Sequence, residues 1–363
     1  MPTRRKIYTL AIVGIWLIAA GVLGNRHLET TTHAYVRADT RQNSLLADTI
    51  AAQIGQEFTR LRSLAKILAQ SGQIQATLPF VGYSEAPGDT AAREQRRADL
   101  MGRIDLIEIN EWLANTAHDL DLRRIQLLHR SGEVIASSNA MSGANDIATL
   151  LFDDRMHALA SIVGSADSFS IDAENVPVYR FAAAVVGGND TIGVLVIEQS
   201  SLRIARPLSG HQQRIFVTDE FGVALIAREP DLLMTATAKA RVHAISQSER
   251  LFRYGQRRLG ESPFSPIRDA PVGNGSGWTA AGITYSLVSR PLAGEPLQVN
   301  IMTVLHELTA LRRTTIVAIL LITLVGLLVI LVTDRSIAFA RPASVAKRLN
   351  RSSSQANRTT PDP

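Results

Sequence analysis

Thr314–Val332, TTIVAILLITLVGLLVILV, is a run of nineteen residues without a charge, and it limits what the chain can become more than any other stretch. About twenty such residues cross the hydrocarbon of a bilayer as a helix, and lipid tolerates only backbone whose polar groups are paired within the segment. Ile7–Leu23, IYTLAIVGIWLIAAGVL, is a second uncharged run, of seventeen residues, near the other end. The chain therefore reads as a tail 1–6, a membrane helix 7–23, an outer region of roughly 290 residues, a membrane helix 314–332 and a tail 333–363.

Lys and Arg beside a span mark its cytoplasmic side. Arg4, Arg5 and Lys6 precede the first run, and Arg335, Arg341, Lys347, Arg348, Arg351 and Arg358 follow the second. Both termini are expected in the cytoplasm and the middle outside it; Arg312 and Arg313 oppose this but are outnumbered. Two readings of the first run stay open. Ala19-Ala20-Gly21 would suit signal cleavage, whereas the length of the run and the amphipathic stretch after it suit an uncleaved anchor.

The net charge of +5 suggests nucleic acid until it is located. The tails carry +3 and +4, leaving about −2 for the outer region, so no basic stripe exists there to follow a phosphate backbone. Nucleic acid is excluded as a partner, and the tails suit topology and anionic membrane lipids. The chain has no cysteine, which removes disulfides, thiolate nucleophiles and Cys-based metal sites, and leaves apolar burial to hold the fold.

From about residue 30 to 78, Leu46, Ile50, Ile54, Phe58, Leu61, Ala65 and Leu68 recur every three or four positions, one stripe of a long helix continuing outward from the first span. The stripe either covers the domain beside it or forms the seam of a homodimer. After the turn-rich Pro79–Thr90 a second helix is predicted over 91–117, with Leu100, Ile104, Ile107 and Trp112 on one side. Arg93, Glu94, Arg96 and Arg97 are expected on its solvated face.

Ile125–Ser138, IQLLHRSGEVIASS, reads as two apolar strands around a Gly turn, and Arg214–Arg228, RIFVTDEFGVALIAR, repeats it. Turn glycines Gly132 and Gly222 lie ninety residues apart, which suits duplicated domains. Each hairpin leads through a crossover to a second strand pair: Val178–Val186 and Thr191–Glu198 around Gly187-Gly188-Asn189-Asp190, then Ile283–Arg290 and Leu297–Val304 around Gly294. The fold class is α+β, a long N-terminal helix and two antiparallel sheets with a pocket under each crossover.

LLHRSGEVIASSN (Leu127–Asn139), VYRFAAAVVGGNDTIGVLVIEQS (Val178–Ser200) and IFVTDEFGVALIAREP (Ile215–Pro230) resemble the tandem PAS-like, or double Cache, extracytoplasmic sensors. They are most similar to DctB-type sensor histidine kinases for four-carbon dicarboxylates. The resemblance covers roughly Gly24–Val332 and implies a bacterial inner-membrane sensor. Its parts are a helical segment 24–118, a membrane-distal PAS-like domain 119–205, a membrane-proximal one 206–304 and a juxtamembrane helix 305–313. Such kinases continue into a catalytic region, whereas the Ser- and Arg-rich 333–363 has no apolar periodicity from which to build one. No enzyme activity is expected, and the signal would pass to a separate cytoplasmic partner.

In sensors of this kind the pocket for small carboxylates draws on the crossover and the strands after it. Asp153, Asp154, Arg155 and His157 start that crossover, and Ser168, Ser170, Tyr179 and Arg180 follow. Arg offers a fork of donors to a carboxylate and hydroxyls add orientation. Strand alternation keeps Tyr179 and Arg180 from facing inward together. Glu198 stands where DctB-type sensors often carry Lys; facing the ligand, it would repel a dicarboxylate or favour an amine.

The eight histidines show no H-x-x-x-H or H-E-x-x-H spacing, and Asp119 and Asp121 lack the glycine and further acids of a calcium loop. No G-x-S-x-G appears, and Gly273–Gly277, GNGSG, lacks the Lys of a phosphate loop. Neither metal nor cofactor is expected. Phe264, Trp278 and Tyr285 suit the core of the second sheet better than a stacking site. The chain is thus expected to bind a small solute such as an organic acid or amino acid and to signal across the membrane. The alternative is a membrane-anchored scaffold that binds a protein or envelope component.

Overall fold

The computed structural model describes residues 2–82, 90–142, 145–150, 160–171, 176–237, 240–256, 258–267, 277–305, 310–311, 313–333 and 335. The chain divides into two units, Thr40–Val304 and a second made of Met1–Asp39 with Leu305–Pro363.

Helix α1, Pro2–Ala69, runs unbroken through the predicted first span and into the larger unit. Within that unit Ile50, Ile54, Phe58, Leu61 and Ala65 are buried, because their spacing puts them on one face. Each large side chain so buried stabilises the fold by roughly 2 kcal/mol. The predicted helix to residue 78 breaks at Ser71, and the chain continues as α2, Gly72–Thr77, and a 3-10 turn, Leu78–Phe80.

The second predicted helix is two: α3, Thr90–Met101, and α4, Ile104–Asp119. Gly102 donates to Ala98 O at 2.9 Å and Arg103 is extended, so the helical phase changes between them. Leu100, Leu106, Ile109 and Leu113 form the buried side; Ile104 and Ile107, expected there, are exposed. Arg96 is not simply solvated either. It donates to the buried Glu133 at 3.0 and 3.1 Å and to Gly82 O at 2.7 Å, tying α3 to the turn of the first hairpin.

The first sheet is antiparallel: β1, Arg124–His129, β2, Val134–Ser137, β3, Ser165–Ile171, β4, Pro177–Gly187, and β5, Asp190–Ser200, in the order β2-β1-β5-β4-β3. The second contains β6, Arg214–Asp219, β7, Ala224–Ala227, β10, Ser265–Pro266, β11, Gly277–Ala280, β12, Ile283–Pro291, and β13, Leu297–Val304, in the order β10-β11-β12-β13-β6-β7. A small parallel pair, β8, Thr235–Ala236, and β9, Gly260–Glu261, lies beside it. Each hairpin sits at one edge, and the last strand of its domain returns beside the hairpin's first strand. Gly132 and Gly222, at φ 88° and 81°, take the left-handed conformation that both hairpin turns require.

One face of both sheets joins α1 and α4 in a continuous apolar core, with Ile125, Leu127, Phe181, Leu195 and Ile197 from the first sheet and Ile215, Val217, Val299 and Ile301 from the second. Arg62 of α1 pairs with Asp167 on β3 and with Glu295 in the β12–β13 turn, over the rings of Phe58 and Phe181. It joins the long helix to both sheets.

In the other unit, α1 and the helix Arg313–Thr333 are each long and apolar enough to cross a membrane. Trp16 Nε1 donates to Thr323 O at 3.3 Å, and its ring fills the notch at Gly326, where a Cβ would come within 2.3 Å of the indole. Gly24 receives Ile319 in the same way. Small residues are what lets apolar helices approach this closely. The expected juxtamembrane helix 305–313 falls largely outside the described residues.

Candidate functional site

The face of the first sheet turned away from the helices changes character along its strands. Residues directly opposite on neighbouring strands share a face, so the register can be read in rows. Leu128 with Val194, and Val196 with Ala182, make an apolar end, which Ala160 at the end of the crossover covers. One row further stand Arg124, Glu198, Arg180 and Ser168, across β1, β5, β4 and β3. Ser170 lies beyond, opposite Val178.

Glu198 is 2% exposed, and both of its oxygens are taken. Oε1 accepts from Arg180 Nε at 2.6 Å, and Oε2 pairs with Arg124 Nε at 3.2 Å. Arg124 Nη1 also donates to Asp146 Oδ2 at 3.0 Å, and that oxygen accepts from Gln126 Nε2 as well. The carboxylate fixes the amide's orientation, since only the NH₂ side of Gln126 can face an acceptor. Gln126 Oε1, Asp146 Oδ1 and Ser170 Oγ are buried without a partner. An unpaired buried acceptor is costly, and a cluster on one face needs a chemical reason.

Ser168, Ser170, Arg180 and Glu198 are thus brought onto one face. Tyr179 is not among them. Alternation turns it to the helix side, where it packs at 5.1 Å from Phe58 and 5.4 Å from Phe169, and burial pushes its phenol pKa far above the usual range. Arg155 and His157, with Asp153 and Asp154, lie outside the described residues. Sequence reasoning missed Arg124, Gln126 and Asp146. The hairpin duplication contained the signal, because Arg124 and Arg214 occupy the same offset before the two turn glycines.

The second sheet's corresponding face is filled by its own side chains. Phe216, Phe264, Trp278, Tyr285 and Met302 form one buried cluster, with Phe264 edge-on to Tyr285 at 5.2 Å, so these aromatics are core. No group of three His, Cys, Asp or Glu that could hold a metal occurs among the described residues.

Two sheets of one topology, strung on a single long helix, match a solved structure. The chain aligns over 74% of its own length and 98% of the other with the sensor domain of the Vibrio cholerae histidine kinase DctB, at a TM-score of 0.57 and 17% identity. The fold is that of a double Cache sensor region. More distant are the periplasmic domain of RsbU from Chlamydia trachomatis (TM-score 0.48, 14% identity, 79% of this chain and 98% of that one) and the L-serine complex of the Pseudomonas fluorescens chemoreceptor CtaA ligand-binding domain (0.45, 16%, 74% and 98%). No protein-family model and no curated protein matches the chain. In double Cache terms the Arg124–Glu198–Arg180 row belongs to the N-terminal sheet, and the aromatic cluster to the C-terminal one.

Proposed function

We propose that this chain is a membrane-anchored sensor of a small solute, an organic acid or amino acid, seated on the outer face of the first sheet. The observation that carries this is the unpartnered pair Gln126 Oε1 and Asp146 Oδ1 beside a buried ionic row, on a face with no aromatic filling of its own among the described residues. Pockets for small molecules place a few such polar groups in an apolar cleft. The two membrane-length helices and the basic flanks support a two-pass anchor with both termini cytoplasmic and the sheets in the periplasm.

Ligand would favour one arrangement of the sheet against α1, with Arg62 as the link to the second sheet. The signal would pass to a cytoplasmic partner, in a homodimer and without catalysis by this chain. Coupling of this kind is typically worth about 1–3 kcal/mol. The test is a thermal-melting screen of the full chain in lipid nanodiscs against organic acids and amino acids. A ligand at a hundredfold its dissociation constant stabilises by about 2.7 kcal/mol, and a screen in which no solute raises the melting temperature rejects the reading. Because the chain has no cysteine, single cysteines at Asp190 and Arg358 report topology cleanly. Labelling from outside should reach the first and not the second.

A scaffold role is the second reading. It draws on Phe80 and Ile104, 76% and 77% exposed on either side of the hydrogen bond from Arg103 Nη1 to Phe80 O. Contiguous apolar surface marks protein contacts, and a partner seated here would bury both side chains.

A further inference from the structure

The polar row on the first sheet is usually the kind of place that receives a carboxylate, since two arginines stand on one face within reach of each other. Here the charge of that pair is already balanced. Arg180 meets Glu198 Oε1 through Nε, and Arg124 meets Glu198 Oε2 through Nε and Asp146 Oδ2 through Nη1. The described face carries two guanidinium groups and two carboxylates, all four in ion pairs with one another. A ligand carboxylate could reach only the remaining guanidinium N–H groups, and it would add a third negative charge to two cations beside Glu198, which is 2% exposed and has no described partner other than the two arginines. Shared among three carboxylates, the two cations would leave a buried anion short of its counter-charge, which is costly.

What the face leaves unmet is the opposite chemistry. Gln126 is 1% exposed, its amide is held by Asp146 so that Oε1 points away, and Asp146 Oδ1 is likewise buried without a donor. Both of these atoms are acceptors, and the third unmet group on the face, Ser170 Oγ, can accept as well. The group that suits such acceptors donates several hydrogen bonds and carries positive charge, as an ammonium does with three N–H donors.

We infer that Glu198 is a built-in counter-ion that closes the Arg124–Arg180 pair to ligand carboxylates, and that the solute presents an ammonium group to Gln126 and Asp146. The inference rests on the sensor reading and narrows it from small solutes in general to amines. Glu198 is then the residue that sets which charge the face accepts.

The experiment uses the full chain in nanodiscs, with butane-1,4-diamine and L-alaninamide as amine probes and succinate as the carboxylate probe, read by calorimetric titration at pH 7. The wild type binds at least one amine and not succinate. Glu198→Gln keeps the side chain's shape and one acceptor oxygen but removes the charge and turns an NH₂ toward one arginine, so succinate affinity rises at least tenfold over the wild type. Arg180→Gln removes a cation that the ligand does not touch, and amine affinity stays within about threefold. Wild-type protein that binds succinate as tightly as Glu198→Gln overturns the inference and leaves the sensor reading standing. An Arg180→Gln variant that loses more than about tenfold in amine affinity also overturns it, and this arm decides if Glu198→Gln does not fold. If no probe binds any of the three proteins, the sensor reading falls and the inference with it.

Discussion

The two sheets share strand order and an apolar inner face, and differ where their outer faces should be most alike. Across β1, β5 and β4 one row reads Arg124, Glu198, Arg180; at the same place across β6, β13 and β12 the second sheet has Arg214, Met302, Leu287. Arg214, with no acid opposite, lies over the Phe264 ring at 5.6 Å. The next row is Gln126, Val196, Ala182 in the first sheet and Phe216, Asn300, Ser289 in the second. Gln126 keeps a bare acceptor, whereas Asn300 Oδ1 accepts from Ser289 at 2.7 Å and Nδ2 donates to Thr218 at 3.0 Å and Gln298 O at 3.1 Å. In this row the second sheet supplies partners for its own polar groups, and the first leaves an acceptor bare.

The largest test of that contrast removes the anion from the first row. Glu198→Ala removes the buried carboxylate that Arg180 and Arg124 share, leaving Arg180 without its acid, and should destabilise the chain by about 3 kcal/mol, read by chemical denaturation in detergent. A loss under about 1 kcal/mol would mean that water already solvates the row. Next in size is Gly193→Ala. A Cβ there would come within 2.4 Å of both Leu128 O and the Leu78 side chain, so the 3-10 turn must move off the sheet and β5 must shift against β1, at roughly 2 kcal/mol. The corresponding position opposite the other hairpin is Leu297, which is buried and fills its own space, so Leu297→Ala should cost about as much by the opposite mechanism, a cavity.

Smaller still should be the transplant of the second sheet's row into the first. Arg180→Leu with Glu198→Met replaces an ion pair by the apolar pair found at the matching positions, which typically changes stability by about 1 kcal/mol or less. The expected result is a folded protein whose melting temperature still rises with amines, because Gln126 and Asp146 are untouched. A transplant that no longer responds to any amine would put the ligand on the ionic row itself.

The parts legible in the sequence are those that local pattern determines. The α1 stripe follows from spacing, and the hairpins from Gly132 and Gly222 between apolar strands. The break at Gly102 was missed because a lone glycine in a helical pattern is usually tolerated, and only packing reveals that the phase shifts from Ile104 to Leu106. Alternation separated Tyr179 from Arg180 without telling which faced the helices. Arg124 and Asp146 escaped notice because their role depends on register between strands far apart in sequence, which hydrophobic pattern does not encode.

The smallest predicted effect separates the two hairpin turns. His129 and Asp219 hold the same position, and each side chain accepts from the backbone two residues on: Ser131 N to His129 Nδ1 at 3.3 Å, Phe221 N to Asp219 Oδ1 at 3.0 Å. Asp219 does more, accepting from Val223 N at 2.9 Å and, through Oδ2, from Tyr254 at 2.5 Å, which ties the helix Gln247–Tyr254 to the turn. Burial nonetheless holds its carboxyl above the ordinary value of 3.8. A folded-state pKa above the unfolded one means that the folded chain binds the proton more tightly. That contribution is fully present below the unfolded value and is lost as pH rises through the folded one. Asp219→Asn keeps the two backbone bonds at Oδ1 and lets its amide donate to Tyr254, with nothing left to titrate. Melting temperatures of wild type and variant should therefore move apart in the wild type's favour as pH falls from neutral toward the ordinary carboxylate range. A difference that stays flat, or turns against the wild type in acid, would show that the turn's hydrogen bonds outweigh burial, and would make Asp219 an ordinary turn residue like His129.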